Sequence, residues 1–164
     1  MAQLRLMKMM RLLFMNAENN LTFEDVNPAY PFLSAVISSS IGSPTPEKIA
    51  QILQSYQRPN QFLIGAFSSQ NLIAVIGFEL NGMQVTIKHI SVVDEFKKQG
   101  IGKSLIHRLI KDYKPSTVSL ETDEESVDFY RKLGFMCEPV TSKYGIRYRC
   151  SANKLSNLLF KPIE

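Results

Sequence analysis

Cysteine and histidine are scarce in this chain, and long apolar runs are missing altogether. Its 164 residues include two cysteines, Cys137 and Cys150, and two histidines, His89 and His107. No spacing among them matches a zinc site, which argues against a bound metal. Two cysteines build no disulfide framework, so the expectation is a pair of buried thiols in a reducing compartment, the cytoplasm. No stretch approaches the roughly 18 to 20 apolar residues of a membrane-spanning helix. From Met1 to Phe14 the apolar residues are interrupted by Arg5, Lys8 and Arg11, which excludes a signal-peptide core. That segment reads as a leader feeding a first strand, with Met7, Met9 and Met10 as alternative starts. Runs of like charge are missing too. The net charge is +4, but no run of Lys or Arg exceeds two residues. A nucleic-acid stripe is therefore not expected, and a small phosphate-bearing ligand accounts for the basic balance equally well. Without repeats or low-complexity segments, the chain reads as one domain over residues 1–164.

The apolar content of 45% suffices for a core, and its periodicity divides the chain. Ala29 to Ser40 has short helical character. Thr45-Pro46-Glu47 opens a helix with a hydroxyl cap and a proline at the first helical position, running to about Tyr56. Three β-rich runs follow, Gln61 to Phe67, Leu72 to Leu80 and Gln84 to Val93, the last two joined by Asn81-Gly82, a strong hairpin signal. Next come a helix (Gly102 to Tyr113), a strand (Thr117 to Thr122), a helix (Glu124 to Leu133) and two β-like runs (Phe135 to Val140, Ile146 to Cys150). The order predicts a mixed α/β domain, antiparallel strands first, with at least one parallel pair made through a crossover. Within Gln84–Val93 the apolar phase shifts from Val85 and Ile87 to Ile90 and Val92. Either a β-bulge at Lys88-His89 or a strand buried on both faces produces that pattern.

The segment Lys97-Lys98-Gln99-Gly100-Ile101-Gly102-Lys103-Ser104 follows this strand and opens a helix. A helix N-terminus offers unpaired amides and positive charge, and glycines let a bulky anion reach them. The P-loop pattern fails because its first glycine falls on Lys97, and the dinucleotide fingerprint fails because its third falls on Leu105. The segment resembles instead the Q/R-x-x-G-x-G/A signature of the GNAT superfamily of acetyl-CoA-dependent N-acetyltransferases. Lys97 stands at the Q/R position, keeping the charge without the fork of an arginine. A second stretch, Glu121 to Phe135, is similar to the other hallmark of that family: a strand ending in a polar loop, a helix carrying Tyr130, then Leu133-Gly134-Phe135. Asp123 is placed to cap this helix, and Gly134 sits where a left-handed C-cap belongs.

The resemblance covers about residues 60 to 150. It implies a GNAT-like fold, a mostly antiparallel sheet with one splayed parallel pair and flanking helices. It also implies acetyl-CoA as cosubstrate, with the first 60 residues shaping the acceptor side. On the family's pattern, backbone groups of Ile90, Val92 and Val93 would bind the pantetheine arm. The turn of Lys97, Lys98, Gln99, Gly100, Ile101, Gly102, Lys103 and Ser104 would hold the pyrophosphate, and Asp123 would make a polar contact to the coenzyme. Tyr130 would protonate the departing thiolate. An alkylamine of pKa about 10.4 is neutral only about once in 2,500 molecules at pH 7, so a base acting through water would help. Glu121 is the first candidate and His89 the second. A non-catalytic acyl-CoA-binding module of the same fold is the alternative, to be separated by replacing Tyr130. A small-molecule or peptide amine is the expected acceptor. By analogy a homodimer is open, with the Tyr144–Cys150 strand as its edge.

Overall fold

The computed structural model describes residues 21–153; the leader expected over Met1–Phe14 lies outside them. Leu21–Asp25 forms β1, Leu33–Ser38 α1 and Pro46–Ser55 α2. The meander β2 (Gln61–Ser68), β3 (Asn71–Asn81) and β4 (Gln84–Val92) follows. A single turn of 3-10 helix over Asp94–Phe96 leads into α3 (Ile101–Tyr113), then β5 (Thr117–Thr122), α4 (Val127–Leu133), β6 (Met136–Ser142) and β7 (Gly145–Ala152). The sequence places these elements well, with two physical differences. The first helix is confined to Leu33–Ser38, beginning after a left-handed Phe32. The last begins at Val127 rather than Glu124, because Asp123 closes a preceding turn: its Oδ1 accepts the Ser126 amide at 2.9 Å and its carbonyl accepts the Val127 amide.

The seven strands form one sheet in the order β1-β2-β3-β4-β5-β7-β6. Every neighbouring pair is antiparallel except β4 with β5. The mixed α/β architecture with a single parallel pair is the one expected. The Tyr144–Cys150 strand, by contrast, is not an edge. β7 lies between β5 and β6, with both sides paired, and β6 is the edge strand at that end. The two cysteines also depart from the expected free thiols. Cys137 and Cys150 sit directly opposite each other in the β6–β7 ladder and form a disulfide, since the register brings their Cα atoms to 4.1 Å.

Each face of the sheet carries its own core. On one, α3 lays Ile101, Leu105, Ile106, Leu109 and Ile110 against Ile64, Ile76, Phe78, Val85 and Val118. On the other, α1 and α2 cover Leu63, Phe67 and Val75 with Leu33, Val36, Ile37 and the buried Tyr56. Thr45 caps α2 by accepting the Lys48 amide, as its sequence predicts. Leu105 and Leu109 are fully buried, and each such leucine contributes about 2 kcal/mol.

Candidate active site

Two irregularities in β4 create the site. The β3–β4 register pairs Gly77 with His89 and Phe78 with Ile87, so Lys88 is an extra residue without a partner. This is the β-bulge, one of the two readings of the phase shift, and it turns the second half of the strand. On its other side β4 pairs with β5 only through Gln84–Thr117, Val85–Val118 and Thr86–Ser119. Beyond Thr86 the two strands part, and a cavity of about 360 Å³ opens, lined by Ile87 to Ile90, Leu120 to Asp123, Ser126, Tyr130, Arg147 and the Ser39–Gly42 loop. That loop is held in place because the Ser91 hydroxyl donates to the Val36 carbonyl and meets the Ser39 hydroxyl, while Ile41 is buried behind it.

The gap leaves backbone groups exposed in a regular way. The Val93 amide donates to the Ile73 carbonyl at 2.9 Å. In an antiparallel ladder the direction of hydrogen bonding alternates along the strand, so Val93 and Ser91 face β3 while Val92 and Ile90 face the gap. Ile90 and Val92 thus turn their backbone groups to the open side of β4, whereas Val93 does not. Its amide belongs to β3 and its carbonyl accepts the Phe96 amide at 3.0 Å, so it has no amide to offer a ligand.

Gly100 adopts the left-handed conformation, φ 81°, as the residue that opens α3. The first helical bond on that turn runs from the Ser104 amide to the Gly100 carbonyl, so the amides of Ile101, Gly102 and Lys103 precede it and point outward. Nothing stands within 4 Å of where a Gly100 side chain would begin, whereas a Cβ on Gly102 would come within 3.3 Å of the Phe129 ring. Gly102 therefore also lets α4 approach α3. Lys98, Gln99 and Ser104 are exposed and Lys103 is half-buried. Lys97 is tied back to Asp94 at 2.6 Å.

Tyr130 projects from α4 into the cavity wall, 4% exposed, between Phe129 and Phe135 at 5.0 and 5.7 Å. Its hydroxyl has no hydrogen-bond partner among the described residues. Burial, assisted by the negative charge of Asp123, pushes its pKa up to about 12. Glu121 reaches the same cavity but pairs with Arg149 at 3.4 Å across the β5–β7 ladder, on a solvated surface. His89 is half-buried, and burial together with Lys88 lowers its pKa, so its ring is neutral at pH 7.

The sequence missed Tyr56. It caps α2, lies over β3 and reaches His89, its hydroxyl 2.6 Å from Nδ1. A Cβ on Gly77 would overlap the phenol, so this glycine opens the path. Burial raises the Tyr56 pKa strongly and keeps the hydroxyl protonated. Its one acceptor among the described residues is His89 Nδ1. Because a buried hydroxyl proton without an acceptor costs about 1–3 kcal/mol, Tyr56 donates, and the neutral His89 ring carries its own proton on Nε2.

The fold is shared with known proteins. A family model for an acetyltransferase (GNAT) domain matches residues 42–149. The chain belongs to this GNAT acetyltransferase family. An uncharacterized N-acetyltransferase, ycf52, of Porphyra purpurea is 37% identical over 62 residues, and the match spans 36% of each chain. A GNAT family acetyltransferase from Elizabethkingia anophelis, solved with acetyl-CoA bound, superimposes with a TM-score of 0.63 at 18% identity, covering 82% of this chain and 98% of that one. A spermidine N-acetyltransferase variant from Vibrio cholerae superimposes at 0.68 and 17% identity, covering 85% and 97%. At such identities these structures establish the fold.

Proposed function

We propose that the chain is an N-acetyltransferase that moves the acetyl group of acetyl-CoA directly to a primary amine while both substrates are bound. The observation that carries this reading is the parting of β4 and β5 beyond Thr86, which leaves Ile90 lining the same cavity as the unpartnered Tyr130 hydroxyl, with Val92 further along the open edge. Acetyl-CoA supplies an activated thioester. Ile90 and Val92 hold its pantetheine arm by backbone hydrogen bonds, and the Val92 region polarises the thioester carbonyl, where an amide donor is most effective as negative charge develops. The outward amides of Ile101, Gly102 and Lys103, with Lys98 and Lys103 nearby, receive the pyrophosphate.

As the new C–N bond forms and the C–S bond breaks, Tyr130 delivers its proton to the sulfur. A phenol near 12 is a weak acid beside a thiol of about 8.5, so Tyr130 acts as a transient donor that is neutral at every physiological pH. The amine proton leaves through water toward Glu121, because the one lone pair of His89, the second candidate, is taken by the Tyr56 hydroxyl. The bound acetyl-CoA of the Elizabethkingia protein and the small amine named for the Vibrio cholerae enzyme support this class of reaction. Calorimetric titration with acetyl-CoA, using ATP and NAD as controls, tests the reading. Micromolar binding of acetyl-CoA alone is expected. Failure to bind it, or a response to ATP instead, would refute the reading.

A further inference from the structure

Resting on that reading, we propose that the acceptor amine also carries a carboxylate, and that Lys88, Arg147 and His89 recognise it. The cavity and the groove beside it hold more cationic than anionic side chains. Lys88, displaced outward by the bulge, and Arg147, half-buried on β7, both line it, and neither has an ion-pair partner among the described residues. The bordering carboxylates are already engaged: Glu121 by Arg149, and Asp123 by the Ser126 amide. Lys88, Glu121 and Arg147 continue into an adjoining groove, where Arg149 joins them. Across cavity and groove, three cations against two carboxylates leave one positive charge unanswered. One surplus charge matches a carboxylate better than a phosphate of nearly two.

His89 strengthens the case. With Nδ1 occupied by the Tyr56 hydroxyl, the ring offers the cavity an N–H donor rather than a lone pair. A donor at Nε2 suits a carboxylate oxygen, and Arg147 supplies the planar fork that holds the same group in two parallel bonds. A half-buried guanidinium without a counterion is costly, and an anionic substrate relieves that cost on binding. On this account His89 binds the acceptor, and the proton-accepting role falls to Glu121 and water.

Matched acceptors test the idea. Amino acids and dipeptides would be offered to the full-length protein as free acids and as carboxamides, with spermidine alongside, and release of CoA followed. The free acids should exceed their carboxamides in kcat/KM by about tenfold or more, the value of a charge-assisted contact. Arg147→Gln, and separately Lys88→Gln on the exposed bulge, should bring that ratio toward one. A preference for carboxamides or spermidine, or a ratio that neither variant changes, would overturn the proposal. So would the absence of turnover with every acid while acetyl-CoA still binds, a result that leaves the acetyltransferase reading intact. Loss of acetyl-CoA binding itself would instead remove the reading beneath it.

Discussion

Tyr56, 4% exposed, and His89, half-buried, are two polar side chains that solve each other's burial across β3, and this pair controls how the site responds to acid. In the folded chain His89 resists protonation because of burial and Lys88. In the unfolded chain it takes up a proton below about 6.5. The unfolded state therefore binds more protons as pH falls through that value, and stability should decline from there toward the depressed folded pKa. Denaturation with urea at a series of pH values should show this slope, and His89→Gln should flatten it. Tyr56→Phe should cost about 1 kcal/mol by leaving Nδ1 without its donor. Tyr130 acts on a different quantity. Tyr130→Phe should lower kcat by about a hundredfold and leave acetyl-CoA affinity within about twofold, since on the proposed mechanism the hydroxyl acts only as the thiolate departs. An unchanged kcat would remove Tyr130 from the chemistry.

At the scale of elements, local rules account for most of what formed. The Thr45-Pro46 helix start, the turn at Gly82, the Gly134 C-cap at φ 100° and the shifted apolar phase of β4 each have a cause within a few residues, so each was readable from sequence. What was not readable depends on partners far along the chain. Tyr56 meets His89 across 33 positions, and only because Gly77 separates them without a side chain. The Ser69-Gln70 turn between β2 and β3 was readable as a break between apolar runs, but not its two left-handed residues, since neither is glycine. The engagement of Val93 with β3 follows from ladder direction, which sequence alone does not give. Gly77→Ala tests the element-scale claim. It should destabilise the protein by about 1–3 kcal/mol through overpacking. It should also shift the NMR resonances of the His89 ring as strongly as Tyr56→Phe does. A stability loss with the ring resonances unmoved would mean that the glycine serves packing alone.

For the molecule as a whole, the sheet divides into β1–β4 and β5–β7, which share three residue pairs along the β4–β5 seam and the core beneath α3. The disulfide lies entirely within the second half. It closes a loop of 13 residues and contributes up to about 3 kcal/mol, less where the β6–β7 ladder restricts the reduced chain as well. Reduction should therefore lower the thermal midpoint while acetyl-CoA binding in the gap between β4 and β5, which the disulfide does not border, is kept. Loss of both together would show that the halves do not respond separately. The short seam has a further consequence. Beyond Thr86 the sheet lacks rungs, and a ligand bearing amides along a linear arm can supply them, serving as a borrowed strand between two edges that have parted. Binding would then be the last step of sheet formation. Hydrogen exchange should show it, with the Ile90 and Val92 amides slowing on addition of acetyl-CoA while Val93, already bonded to Ile73, barely changes.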